Sequence, residues 1–314
     1  MILCCGELLI DFIGSNHEKN TYTGFPGGSP YNTAIAASRL GAPTGFFSRI
    51  STDMFGVQLK EYLEKQGVNL AYACYSPDPT ILSFIKMGAD GKPQYAFFPH
   101  GCADRMMQVS DLPLPLPPEV QAVLIGSISL ILEPGASTIV EFISQIHQNT
   151  VISFDPNIRA SLIPDQNAYV NRFETLAGWS DVVKLSDEDL NWLYPNLTWQ
   201  EGMDRLLNLG TALVALTRGA EGAVLRTKTA EVTQPVVSFG LEDTVGAGDT
   251  FHGALMAFLH KNGLLEKTLI HSLSEDMLSA GAAFAAKAAG LNCSRKGADP
   301  PDLEEMKWAD SQVS

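Results

Sequence analysis

Short apolar runs alternate with helical patterns along most of this chain, and that rhythm leaves few architectures open to it. Residues 2–10 are apolar with little alternation, as in a strand covered on both faces. Ser29 offers an N-cap and Pro30 suits the first helical position. Ala34, Ala37 and Leu40 then recur at helical spacing until Gly41 ends the run. A strand is expected at 44–50 and a helix at 55–66. The same couple returns at 122–125 with 135–148, at 151–154 with 166–177 and at 182–185 with 187–194, and a further strand is expected at 212–216. Strands separated by helices pair in parallel through right-handed crossovers, so the expectation is an α/β sandwich.

Two stretches break the rhythm. Residues 81–87 and 94–98 flank Ala89-Asp90-Gly91-Lys92, an Asp-Gly turn between alternating runs that reads as a β-hairpin. With the segment 12–25 it would build a small β lid over one end of the core, and the proline-rich 112–118 would be the return path. The resulting division places 1–11, 28–80 and 108–314 in the core and 12–27 and 81–107 in the lid. A second hairpin is expected at 223–225 with 232–237, followed by Ala-rich helices through 259 and over roughly 264–289.

Composition narrows the function classes. With 314 residues, 45% hydrophobic and 18% charged, the chain can build a sizeable core and is neither disordered nor coiled-coil. A net charge of −14 opposes nonspecific association with nucleic acid or an anionic membrane. Cys4, Cys5, Cys74, Cys102 and Cys293 form an odd, scattered set, which points to a reducing compartment rather than a disulfide framework or zinc knuckle. The first residues lack the basic region of a signal peptide, and the longest apolar run, 123–132, is too short for a membrane span, so a cytoplasmic location is expected.

The chemistry concentrates in Asp243-Thr244-Val245-Gly246-Ala247-Gly248-Asp249-Thr250-Phe251, which leads into an apolar helix. Small residues let the backbone approach a ligand, and amides at a helix start face outward at the positive end of the dipole. That makes an anion site at Gly246, Ala247 and Gly248. Asp249 in the same turn would stay ionised and could take a proton from a hydroxyl attacking phosphorus. Alone, the pattern is equally served by a carboxylate that complements the helix dipole. A second glycine segment, Gly24-Phe25-Pro26-Gly27-Gly28-Ser29-Pro30-Tyr31-Asn32-Thr33-Ala34, is by itself no more than a tight turn before a helix. The two in this order are much rarer than either.

Together they make the sequence resemble the ribokinase-like (PfkB) carbohydrate kinases, whose signatures are a Gly-Gly…Asn…Ala-x-x-Leu-Gly segment near the start and Asp-Thr-x-Gly-Ala-Gly-Asp-x-Phe near the end. Gly6-Glu7…Asp11, Asp155-Pro156-Asn157…Arg159, Lys184-Leu185-Ser186 and Thr217-Arg218-Gly219-Ala220-Glu221-Gly222 also fall where the family has counterparts, so the likeness spans nearly the whole chain. The resemblance implies a three-layer α/β/α sandwich with a β-sheet lid. It also implies an ATP-dependent kinase acting on a sugar hydroxyl, with Asp249 as base and the amides of Gly246, Ala247 and Gly248 as the anion hole. By matched position Asp11, Gly27, Gly28 and Asn32 would contact the sugar, and Arg159 would lie near the substrate or the transferring phosphate. Thr217, Gly219 and Gly222 would face the nucleotide, with Lys184 and Ser186 on the phosphate side.

The sequence departs from the family's Asn-x-x-Glu: Ser186 stands at the amide and Asp189 at the acid, which keeps a water-mediated contact to Mg2+ open. Asp243 and Val245, with carbonyls around Asn292, Arg295 and Gly297, would hold K+ as in members with a monovalent-cation site; a loop-capping carboxylate accounts for Asp243 equally well. Residues 6–12, 155–159 and Ala103-Asp104 resemble the fructokinase branch, implying phosphorylation of fructose to fructose 6-phosphate. Against this, Pro99-His100 follows Phe97-Phe98 where that branch often has an arginine. A 2-keto-3-deoxygluconate kinase and a silent sugar or nucleotide sensor are the alternatives. Sticky lid edges make a homodimer through the lid reasonable. No Walker loop or nucleophile elbow is present, the histidines lack metal-ligand spacing, and only His252, one turn from Asp249, falls near the chemistry.

Overall fold

The computed structural model describes residues 1–14, 20–87 and 93–312. The turn at 89–92 expected between the hairpin strands lies outside the described residues, as do 15–19 of the expected lid segment. The chain begins with β1 (Ile2–Cys5), β2 (Leu9–Gly14), β3 (Tyr22–Gly27), α1 (Ser29–Arg39), β4 (Thr44–Phe47), β5 (Arg49–Ser51) and α2 (Met54–Lys65). It continues through β6 (Cys74–Ser76), β7 (Ile81–Met87), β8 (Pro93–Phe98), β9 (Ala122–Gly126), α3 (Gly135–Ile146), β10 (Val151–Asp155), α4 (Gln166–Trp179), β11 (Val182–Ser186), α5 (Asp187–Leu193) and α6 (Trp199–Leu209). The last part holds β12 (Leu213–Thr217), β13 (Ala223–Arg226), β14 (Glu231–Gln234), α7 (Ala247–Lys261), α8 (Lys267–Ile270), α9 (Glu275–Cys293) and α10 (Leu303–Gln312).

Eight strands form the main sheet in the order β14-β13-β12-β11-β10-β9-β1-β4, parallel from β4 to β12 and antiparallel at the β13 and β14 edge. Alternation along β1 divides the core. Ile2 and Cys4 pack with α1, α7 and α9 on one face, whereas Leu3 and Cys5 pack with α3, α4 and α6 on the other. This is the three-layer sandwich that the strand-helix rhythm demands.

A second sheet, β3-β2-β7-β8, is built from the two segments expected to leave the core. The apolar stretch 2–10 is not one strand. Gly6, at φ 149, breaks it, because a Cβ there would collide with Ser129 and Pro30. Residues 9–11, expected in the core, therefore belong to the smaller sheet. The strand expected at 44–50 likewise divides, with Arg49–Ser51 pairing with Cys74–Ser76. The helical pattern at 264–289 is interrupted at residues 271–274, and α9 starts afresh from the Ser274 cap.

Two helices escaped the pattern reading. One is α6, although Thr198 and Glu201 form a reciprocal capping box that is readable as Thr-x-x-Glu. The other is α10. Ser29 does not cap α1: Gly28 occupies that position at φ 112, where its missing Cβ avoids the Glu7 carbonyl, and Ser29 is the first helical residue.

α1 and α7 cross closely at Gly253, where a Cβ would lie 2.7 Å from both the Thr33 carbonyl and the Ala36 methyl. This approach sets the distance between the two glycine segments. Gly253→Val should overpack the crossing and cost about 1–3 kcal/mol, seen as a lower urea midpoint with unchanged m-value. An unchanged midpoint would show that the crossing has slack.

Candidate active site

The start of α7 is a left-handed turn: Gly246 takes φ 73 at the cap, and Asp249 falls in the first helical turn. Amides at such positions have no intrahelical partner. Of the three expected to form an anion site, that of Ala247 donates to the Thr244 carbonyl at 3.2 Å. Gly246 and Gly248 line a cavity of about 300 Å³, and the Asp249 carboxylate forms part of its floor.

Asp249 is only 8% exposed. Burial raises its pKa, opposed by hydrogen bonds from Ser29 and Asn32; Asp155 adds to the rise and Lys184 offsets it. Ser29 Oγ donates to Oδ1 at 2.6 Å and Asn32 Nδ2 donates to Oδ2 at 2.9 Å. Asn32, expected to contact sugar, thus gives one of its two amide N–H donors to the carboxylate.

Lys184 reaches under the glycine turn and lines the cavity. A Cβ on Gly248 would sit 2.7 Å from its Nζ. Nζ pairs with Asp155 Oδ2 at 2.8 Å. Burial works against the ammonium charge, but Asp155, with Asp249 and Asp189 contributing, outweighs it and raises the Lys184 pKa. His252 lies behind this pair, fully buried, with Nε2 2.6 Å from Ser153 Oγ. Burial and the neighbouring ammonium push its pKa down to about 3, so it is a neutral core histidine at pH 7 rather than a proton carrier.

On the opposite wall, Asp11 projects from β2 and accepts a short hydrogen bond from Ser83 of β7. Burial raises its pKa, which Ser83 and the Arg159 charge counter. Gly27 faces it across the strand pair, where any Cβ would collide with the Asp11 carboxylate. Gly28, Asp11 and Arg159 all line the cavity. Arg159 is folded onto its own loop, with Nη1 2.7 Å from Asn157 Oδ1, and Asn157 itself takes φ 36.

The residues matched to the nucleotide side lie at the ends of β11 and β12. Thr217 Oγ1 bonds the Leu185 carbonyl at 3.3 Å, and Gly219 has open space around its Cα. Gly222 is required locally, since a Cβ would strike the Gln234 carbonyl. Ser186 caps α5 in a capping box with Asp189. Asp189 accepts from Ser186 N and Oγ and, at 2.8 Å, from Ile158 N, so it braces the 157–159 loop against β11.

The residues matched to a monovalent-cation site do converge. Asp243 accepts from the amides of Val245 (3.1 Å) and Gly297 (2.9 Å), and Asn292 Nδ2 donates to the Val245 carbonyl at 2.8 Å. Arg295 turns away to Asp299 and Glu305. The contacts bring together one carboxylate and one carbonyl, ligands of the kind a hard cation takes, and both already accept hydrogen bonds within the cluster.

Sequence reasoning missed three side chains here. Ser29 was read as a helix cap. Glu7, in the cavity wall at 1% exposure, accepts from the Ser29 and Ser129 amides. Asp155 was matched only as part of a motif. Each lies inside a segment that carries the family resemblance, so the missing signal is the partner, which only the fold supplies.

A fructokinase of Rhizobium leguminosarum bv. trifolii is 40% identical over 283 residues, covering 90% of this chain and 86% of that protein. The structure of Xylella fastidiosa fructokinase with bound ATP superposes with a TM-score of 0.89 at 25% identity, over 100% of this chain and 99% of that one. A double variant of Vibrio cholerae fructokinase holding fructose, ADP and potassium gives 0.83 at 25% identity, over 98% and 97%. The family model described as pfkB family carbohydrate kinase matches residues 1–306, and with the two glycine segments meeting around a buried carboxylate, the chain belongs to that family.

Proposed function

We propose that this enzyme transfers the γ-phosphate of ATP to fructose, giving fructose 6-phosphate. The observation that carries the reading is the Asp249 carboxylate, buried on the floor of a cavity and held by Ser29 and Asn32 beside the open start of α7. The 40% identical fructokinase supports the choice of sugar. Glu7, Asp11 and Asp249 all face the cavity, and Asp155 compensates Lys184, so the wall suits a neutral polyol better than the carboxylate of a 2-keto-3-deoxygluconate.

In this reading the sugar is held by Asp11, Asn32 and the Gly27-Gly28 backbone, with Arg159 near the transferred group. The 6-hydroxyl gives its proton to Asp249 as its oxygen attacks phosphorus. Charge developing on the phosphoryl oxygens is met by the α7 amides around Gly246 and Gly248 and by the Lys184 ammonium. Gly219 and Thr217 flank the nucleotide phosphates. A magnesium ion bound with ATP would supply charge neutralisation at the phosphates, and Asp189, already accepting three hydrogen bonds, would hold it through water. Potassium fits the Asp243, Val245 and Gly297 cluster. The sheet of β2, β3, β7 and β8 acts as the lid, excluding water that would otherwise hydrolyse ATP. The five cysteines are free, two of them wholly buried, which supports a cytoplasmic setting.

Asp249→Asn should lower the kcat for ADP release with fructose by about 10²–10⁴-fold while fructose binding persists. The parental kcat should fall with acid through a limb above the ordinary carboxylate range, because the base must be ionised and burial raises its pKa. Parental turnover in the variant would remove Asp249 from the base role.

We also propose a homodimer through the lid. The face of this sheet away from the cavity carries Phe84, with Phe12 stacked on it and anchored edge-on to Phe55 of α2, and with Tyr22 and Phe98 edge-on to Phe84; Phe98 is 57% exposed. Sedimentation should give a dimer that Phe98→Asp dissociates; a monomer at micromolar concentration would contradict this.

A further inference from the structure

Ser29 stands where two buried carboxylates meet. Its amide donates to Glu7 Oε1 at 3.2 Å, and Glu7 is itself fixed by the Ser129 amide and hydroxyl. Its hydroxyl does not cap α1 but crosses to α7, donating to Asp249 Oδ1 at 2.6 Å. Asn32, one turn along α1, takes the other oxygen at 2.9 Å. A carboxylate with one donor can still turn about its terminal torsion, which is broad. Two donors from one helix, one per oxygen, fix its plane and leave the remaining lone pairs for the incoming hydroxyl.

We propose that Ser29 is a positioning residue for phosphoryl transfer, its hydroxyl setting the plane of the Asp249 carboxylate toward the acceptor alcohol. This rests on Asp249 being the base. The charged groups around Asp249 are Asp155 on β10 and Lys184 on β11, with Glu7 reached through Ser29 and with Asp11 and Arg159 across the cavity; neutral His252 lies on α7 itself. None of them bonds the Ser29 hydroxyl, so removing it alters one donor and leaves the surrounding charges in place. A hydrogen bond to an ionised carboxylate favours that form.

The test compares Ser29→Ala, Ser29→Thr and Asp249→Asn in full pH profiles of ADP release with fructose. Ser29→Ala should lose about tenfold in kcat with fructose KM within about twofold, and its acidic limb should move up by about one pH unit. Ser29→Thr, which keeps the hydroxyl, should restore both. If Ser29→Ala retains the parental kcat and limb while Asp249→Asn is inactive, the positioning role is wrong and the base stands. If Asp249→Asn turns over normally, the base reading itself fails whatever Ser29 does. A drop in kcat without movement of the limb means that the hydroxyl serves only packing, and this also overturns the proposal. Should the threonine variant not fold, carbon-13 titration of the Asp249 carboxyl in Ser29→Ala decides: a raised midpoint is expected, and an unshifted one refutes the assignment.

Discussion

Burying the Asp249 carboxylate is the constraint around which the rest of the molecule is arranged. An isolated carboxylate in a protein interior is costly and tends to pick up a proton. Here donors from α1 and the ammonium of Lys184 oppose the rise in pKa that burial causes. Each source belongs to a different element. α1 must approach α7 closely enough for a serine and an asparagine to reach across, which is why Gly253 sits at the crossing. Lys184 must enter from β11, and only a glycine at 248 leaves it room. The ammonium needs Asp155 from β10 in turn.

The same arrangement ties the smaller sheet to the chemistry. Gly6 ends β1 and Glu7 then anchors the Ser29 amide, so the turn into β2 and the start of α1 are fixed by one buried side chain. β2 carries Asp11 to the cavity and β3 delivers the chain to Gly28, so the Asp11 wall and the helix that holds Asp249 follow each other directly. Lys296, from the loop that also bonds Asp243, lies 5.9 Å from the Phe25 ring of β3 and links the Asp243 loop to the smaller sheet.

Much of this was legible in the sequence because it is local. The parallel strands show as apolar runs, and the helices between them show caps and periodicity. The glycine turn at 246–248 announces an amide-rich helix start. Lost were the features decided by contact between distant segments. The hydroxyl of Ser29 has a local use as a cap and a distant one on Asp249, and only the φ of Gly28 tells which is taken. Lys184 reads as a strand-end lysine until Gly248 is placed above it. His252, conspicuous by its spacing from Asp249, points instead into the core toward Ser153. Asp189 reads as an acid for a water-mediated metal contact, and its bond to the Ile158 amide, invisible in the sequence, adds a brace for the 157–159 loop. Helix α6 is different, since its Thr198-x-x-Glu201 capping box is local and readable in the sequence.

The central claim is spatial: phosphorus is transferred at the start of α7, between its free amides and the Asp249 carboxylate. The most direct measurement is a crystal structure with fructose, ADP and a tetrafluoroaluminate mimic of the phosphoryl group. The account predicts the mimic about 3 Å from the Gly248 amide, with the sugar 6-hydroxyl within hydrogen-bond reach of Asp249. A mimic bound elsewhere in the cavity, with Asp249 facing no sugar hydroxyl, would contradict it.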